Sequence, residues 1–256
     1  LHPAERILPR SALAHRGHLQ HAGRHGRLGH SWSHCVHAHA LRRVGGRRAA
    51  YQGLDAALGR RDGRIGLICI YQPPVNALTS AVVSGLAEAF DAFERDTTLD
   101  ALVIHCAGRT FVAGGDITAF EVPGFSAEPL NRLFGRIEAS RKLVVAALHG
   151  TVLGGGLELA MATHVRVCDR GAFFGLPEGQ RGLFVGGGGS ARIPRLIGAS
   201  RMADMMLTGR VLGADEAERI GLVNYRTGPG QGLARAMELA HRIASKAPLS
   251  NYAVMH

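Results

Sequence analysis

Four short apolar runs constrain this chain more than any other feature: Ile65–Tyr71, Ala101–Cys106, Leu143–Leu148 and Val165–Cys168. Each is too short for a globular helix and nearly continuous in apolar or β-branched residues, the pattern of a strand covered on both faces. Pro73-Pro74 ends the first run, because proline has no N–H to give a ladder. Helical spacing lies between the runs. Thr79 or Ser80 caps a helix that carries Val82, Leu86, Phe90 and Phe93 on one stripe. A second helix is predicted over 129–141, and Gly154–Gly156 open a third. Beyond Gly186 the spacing is mostly helical, over 188–197, 200–208, 214–220 and 232–246, with Leu222–Tyr225 extended. Strands alternating with helices, then helices alone, describe an α/β domain with a helical C-terminal region. Regular structure is expected to begin near Arg64.

What precedes it has another character. The formal net charge of +10 comes mainly from residues 1–60, which hold ten arginines against Glu5 and Asp55. Most of the histidines also fall there, while the remainder of the chain is almost neutral. The expected organisation is a basic Arg/His-rich extension, 1–60, disordered or non-native, before a folded domain, 61–256. The same composition is shared by an organellar transit peptide, which would move the expected location from the cytoplasm to the mitochondrion. Dense arginine supplies phosphate contacts, but Trp32 and Tyr51 are the only aromatics before Tyr71, so base recognition has nothing to stack on. No nucleic-acid partner is expected. His34-Cys35-x-His37-x-His39 has metal-binding residue types at none of the usual zinc spacings, and no metal site is expected. Cys35, Cys69, Cys106 and Cys168 form no Cys-x-x-Cys pair and indicate a reducing compartment without disulfides. No run of eighteen apolar residues exists, so no membrane partner is expected.

Chemistry concentrates in the middle of the chain. Arg109-Thr110-Phe111-Val112-Ala113-Gly114-Gly115-Asp116-Ile117 follows the second strand, and its paired glycines leave backbone N–H groups uncovered. Gly154-Gly155-Gly156 make a second such place at a helix start, where orphan N–H groups and the dipole favour negative charge. Two donors converging on one oxygen would form an oxyanion hole. Glu158 lies one turn beyond Gly155 on the same side, and Phe174-Gly175-Leu176-Pro177-Glu178 introduces a second carboxylate. Two such groups can divide the work, one ionised as base and one protonated as acid. Asp116 is expected to order its loop and His149 to be structural. The Gly186–Gly189 run reads equally as a flexible loop or as a helix start that approaches substrate. A dinucleotide fingerprint is absent, since Leu159 stands where its last glycine belongs; phosphate-loop and nucleophile-elbow motifs are absent too.

Taken together, Val75-Asn76-Ala77-Leu78, Thr110–Ile117, His149–Ala160, Phe174–Glu178, Leu207-Thr208-Gly209 and Ala217–Val223 resemble the crotonase (enoyl-CoA hydratase/isomerase) superfamily, in order and over about 62–256. The resemblance implies a spiral of ββα units, followed by a helical C-terminal region, with an acyl-CoA thioester bound across it. By that analogy the amides of Gly115 and Gly155 hold the thioester oxygen, Glu158 activates water toward C3 and Glu178 protonates C2. Ala113, Gly114, Asp116, Ile117 and Gly154 would contact substrate, and Gly186 would help to fix the water. The implied reaction is hydration of a 2,3-double bond, with isomerase, thioester hydrolase or hydratase-lyase chemistry as same-fold alternatives and an inactive or RNA-binding fragment as another. No cofactor is implied, since coenzyme A is part of the substrate, and the implied assembly is a homotrimer or hexamer. Relatives continue through further helices that complete the CoA pocket and trimer interface, so C-terminal truncation is expected. Thr163, His164 and Val185 depart from the family pattern and are expected to touch the pocket.

Overall fold

The computed structural model describes residues 56–255 apart from 122, 123 and 125. Most of the basic extension, including the His34–His39 motif and Cys35, lies outside the described residues. Each predicted run is a strand: β2 (Ile65–Ile70), β3 (Ala101–Cys106), β4 (Leu143–Leu148) and β6 (Val165–Asp169). Together with β1 (Ala56–Asp62) and β9 (Tyr225–Thr227) they form a six-stranded sheet in the order β1-β2-β3-β4-β6-β9. All neighbouring pairs are parallel except β1 with β2. A second sheet contains β5 (Thr151–Leu153), β7 (Phe173–Gly175) and β8 (Leu212–Gly213). Isolated bridges between Leu78 and Gly115, and between Val112 and Val152, carry its layer toward the earlier turns of the chain.

The repeat is therefore a long strand, a short extended piece in the second layer, and a helix. It occurs as β2, Leu78 and α1 (Ser80–Arg95), then as β3, Val112–Gly115 and α2 (Glu128–Glu138). It recurs as β4, β5 and α3 (Gly155–Ala162), then as β6, β7 and α4 (Gly189–Ile197). This is the expected α/β spiral of ββα units. After it the chain is mainly helical: α5 (Ala199–Thr208), α6 (Ala214–Arg219), α7 (Gly232–Ala244) and α8 (Pro248–Met255). No described helix is long and apolar enough to cross a membrane.

The local signals act as their chemistry dictates. The Thr79 hydroxyl accepts the Val82 N–H at 3.2 Å and starts α1, whose Val82, Leu86, Phe90 and Phe93 are fully buried. At the other end the Lys142 ammonium donates to the carbonyls of Phe93, Glu94 and Asp96, placing a cation at the negative helix terminus. The second helix stops at Glu138 rather than 141 because 141–142 already turn into β4. The strands β5, β7 and β8 were not predicted, being too short to show any periodicity. Nor was β1, the edge strand of this sheet among the described residues. The extended segment near Leu222 lies later than predicted, at Tyr225–Thr227.

Alternation along β3 puts Ala101, Val103 and His105 on the side covered by α7, where Ala101 and Val103 pack with Ala236, Leu239 and Ala240. His105 is 6% exposed and its Nε2 has no hydrogen-bond partner among the described residues. Burial, then the neighbouring His149, pushes its pKa down from 6.5 to about 4. The unfolded chain thus takes up a proton at a pH where the folded one does not, and stability falls as pH drops from about 6.5 to about 4. The expected loss over that window is about 3 kcal/mol. Urea titrations at pH 7 and pH 4.5 should show it, and His105→Leu should flatten the dependence; an unchanged slope would contradict the assignment.

Candidate active site

Parallel strands deliver their carboxyl ends to one edge of a sheet, so the loops after β3 and β4 meet there. Phe111 donates its N–H to the His149 carbonyl at 2.9 Å, Leu153 to that of Val112 at 3.1 Å, and the Thr110 hydroxyl to that of Thr151 at 2.9 Å. From the other side, Leu78 donates to the Gly114 carbonyl at 2.9 Å and accepts from the Asp116 N–H at 3.4 Å. In a parallel bridge those bonds use the groups flanking Gly115, so its own N–H points away from Leu78. Gly155 lies there: a Cβ on it would stand 3.6 Å from the Gly115 nitrogen. As the first residue of α3, Gly155 has an N–H with no intrahelical acceptor. The structure brings these two N–H groups together beside one cavity of about 570 Å³.

Every site residue nominated from the sequence lines this cavity: Ala113, Gly114, Gly115, Asp116, Ile117, Gly154, Gly155, Glu158, Glu178 and Gly186. Asp116 also orders its loop as expected, its Oδ1 accepting the Thr118 N–H at 3.0 Å and hydroxyl at 2.7 Å. His149 is occupied with the backbone, its Nε2 being 3.2 Å from the Gly108 carbonyl.

Glu158 is only 3% exposed, and its Oε1 accepts the N–H groups of Gly187 and Gly189, both at 2.8 Å. Burial raises its pKa, while those two N–H groups and the Arg192 guanidinium oppose the rise. Glu178 is half-buried, and its Oε2 has no hydrogen-bond partner among the described residues. Burial raises its pKa first, and the negative charge of Glu158 adds to this; its own backbone N–H and Arg181 act the other way. The two carboxyl groups thus share one cavity with unequal surroundings. One has donors that favour its ionised form, while the other has a bare oxygen and a like charge nearby, which favour its protonated form.

Glycine is what allows this approach. Gly154 has φ +50°, and a Cβ there would come within 2.6 Å of the Glu178 carboxylate. A Cβ on Gly187 or Gly189 would fall 2.6 or 3.0 Å from the Glu158 carboxylate. Of the Gly186–Gly189 run, the sequence reading chose Gly186; that residue lines the cavity, but the donors to Glu158 are Gly187 and Gly189. Of the two readings left open for that run, a helix start approaching the site is the one observed, with α4 beginning at Gly189.

The positions that depart from the family pattern lie away from the cavity. Thr163, His164 and Val185 do not line the cavity. Thr163 and His164 close the turn from α3 to β6, the hydroxyl giving to the Ala160 carbonyl at 2.8 Å and the imidazole Nδ1 accepting the Val144 N–H at 2.9 Å. Val185 is buried in the main core.

Sequence reasoning assigned no role to Asn76. It is 3% exposed with φ 52°, and its side-chain amide donates to the carbonyls of Ala107 and Thr110, both at 2.9 Å. Its Oδ1 accepts the Gln72 N–H at 2.7 Å. Asparagine tolerates the left-handed region better than other non-glycine residues, and here it ties the loop before Leu78 to the loop that carries Gly115. Asn76→Ala should cost about 2–4 kcal/mol, combining left-handed strain with two buried carbonyls left unpaired. Asn76→Gly should recover roughly 1 kcal/mol of it by relieving the backbone. Denaturant melts of the three proteins check both statements.

Against this geometry, comparison with known proteins is direct. The sequence pattern of the family described as enoyl-CoA hydratase/isomerase matches residues 60–256. The chain is 34% identical over 204 residues to the short-chain-enoyl-CoA hydratase of Clostridium acetobutylicum, covering 77% of this chain and 78% of that protein. It is 40% identical over 191 residues to the peroxisomal fatty acid beta-oxidation multifunctional protein AIM1 of Arabidopsis thaliana, covering 70% of this chain and 26% of that protein. Among solved structures, an enoyl-CoA hydratase subunit of Geobacillus kaustophilus HTA426 superposes with a TM-score of 0.73 at 32% identity, over 80% of each chain. Pseudomonas aeruginosa DspI superposes with a TM-score of 0.75 at 28% identity, over 82% of each chain. The protein belongs to the enoyl-CoA hydratase/isomerase (crotonase) family, whose substrates are acyl-CoA thioesters.

Proposed function

We propose that this protein is an enoyl-CoA hydratase-like lyase, adding water reversibly across the 2,3-double bond of an acyl-CoA thioester. The observation that carries the reading is the unequal pair of carboxyl groups beside the backbone N–H groups of Gly115 and Gly155. The thioester oxygen lies between the amides of Gly115 and Gly155, which take up the negative charge that grows as the β-carbon is attacked. Each such donor contributes on the order of 3–4 kcal/mol to the transition state. Glu158, held by Gly187 and Gly189 in the form that accepts a proton, draws one from water as its oxygen bonds to C3. Glu178, whose protonated form is favoured by burial and by the charge of Glu158, gives a proton to C2. One proton enters from water and one leaves to carbon, so the pair finishes with its protons exchanged and solvent restores the starting state. Relatives named as enoyl-CoA hydratases support the same reading.

Glu158→Gln and Glu178→Gln should each lower kcat for crotonyl-CoA by ~10²–10⁴-fold, with KM changed far less. Near-wild-type turnover in either variant would remove that carboxylate from the mechanism. Since both pKa values are raised, the bell-shaped profile of kcat/KM should place both limbs above the usual carboxylate range.

Stability should move in the opposite direction for Glu178. A carboxyl whose folded pKa is raised costs stability once the pH exceeds that value, because the folded state holds the charge less willingly than the unfolded one. Glu178→Gln, with no charge and with an N–H to offer, should melt at a higher temperature than the parent at pH 8. A lower melting temperature would show that the carboxylate has a stabilising partner.

A further inference from the structure

Arg192 lies on α4, one turn beyond the glycine loop that grips Glu158. Its Nη1 donates to the Gly187 carbonyl at 2.9 Å, and its Nη2 to the Glu138 carboxylate on α2 at 2.8 Å. A Cβ on Gly188 would collide with the guanidinium, so the group lies directly against the loop backbone. The Gly187 carbonyl belongs to the peptide between the two that carry the donors to Glu158. The loop is thus held between two charges, Glu158 on one side and Arg192 on the other. The Arg192 side chain is 11% exposed, and its Nε is buried with no hydrogen-bond partner among the described residues. A simple brace would not need a buried cation with an unsatisfied edge, since apolar side chains of similar volume fill such places at no loss of stability.

We propose that Arg192 is a positioning residue for the Glu158 carboxylate: it fixes the Gly187–Gly189 peptides so that both N–H groups stay aimed at Oε1. Glu138 holds the guanidinium in that place from α2. This rests on the proposed function in taking Glu158 as the base, but the geometry of the clamp is independent of the reaction.

Other charges near Glu158 are accounted for. Glu178, with Arg181 beside it, faces the same cavity from the segment after β7. Arg132 and Arg136 on α2 also line the cavity, but Arg132 pairs with Glu128 and Arg136 is bound by Asp91 and Glu94, while Asp116 accepts from Thr118 in its own loop. Among the described residues, Arg192 is the cation that favours ionised Glu158.

The test is a titration of the Glu158 carboxyl by carbon NMR on the full chain labelled at glutamate Cδ, with the resonance assigned by its loss in Glu158→Gln. Arg192→Met should raise the Glu158 midpoint by about 1 pH unit, as expected when an opposite charge nearby is removed. Arg192→Lys should restore most of the shift. If Arg192→Met does not fold, Arg192→Gln, which keeps a donor for the Gly187 carbonyl but no charge, carries the same expectation. A midpoint unchanged in the uncharged variant would overturn the proposal. Where hydration is measurable, kcat should fall about tenfold in Arg192→Met with KM within threefold, and the acidic limb should follow the NMR midpoint. Failure of wild-type protein to hydrate any 2-enoyl thioester would refute the proposed function alone, because the titration needs no turnover.

Discussion

A carboxylate buried at the start of a helix is costly unless something donates to it, and the architecture of this protein is arranged around meeting that requirement for Glu158. Its Oε1 takes two backbone N–H groups from the loop before α4. Those donors reach it only because Gly187 and Gly189 lack side chains, the positions a Cβ would occupy being already filled by the carboxylate. An unsatisfied buried charge would neutralise instead, its pKa pushed up by as much as ~3–5 units. Partial satisfaction leaves a group whose pKa is raised by burial and held back by its two N–H donors and Arg192. Glu178 is left unsatisfied at one oxygen among the described residues, and burial with the charge of Glu158 favours its protonated form.

The rest of the fold brings these pieces to one place. Parallel strands β2, β3, β4 and β6 end at one edge of the main sheet, and each is followed by a turn into the second layer. Backbone bonds between those turns, from Leu78 to Gly114 and Asp116 and from Leu153 to Val112, set the direction in which Gly115 and Gly155 present their amides. Asn76 secures the first of them with a side-chain amide where no regular ladder is available. The proposed oxyanion donors belong to the backbone, so their placement is only as firm as this network of turns, and the core beneath it supplies the rigidity. Phe90, Phe93, Phe111 and Phe134 are all fully buried in one cluster under the cavity wall.

Much of this was legible in the residues. Long apolar runs and the α1 stripe are strong signals because burial on both faces or on one face leaves a period in the sequence. Gly114-Gly115 and Gly154-Gly155-Gly156 were legible for a similar reason: repeated glycine has few purposes, and close backbone approach is one of them. The second sheet was not legible, since strands such as β5 and β8 are made by pairing rather than by composition. The Arg192 clamp was not legible either, because an arginine in an amphipathic helix ordinarily faces water. Asn76 sat within a recognised motif, but its role depends on a left-handed backbone and on two distant carbonyls that no local pattern reveals.

The central claim is that two carboxyl groups of unequal proton affinity add water to a thioester held by two backbone amides. Its most direct test is the fate of isotopes when crotonyl-CoA is incubated with the protein in deuterium oxide enriched in heavy oxygen. The account predicts a 3-hydroxyacyl-CoA carrying one deuterium at C2 and the heavy oxygen at C3, with the thioester intact. Cleavage to a free acid, or migration of the double bond with no oxygen gained, would contradict it.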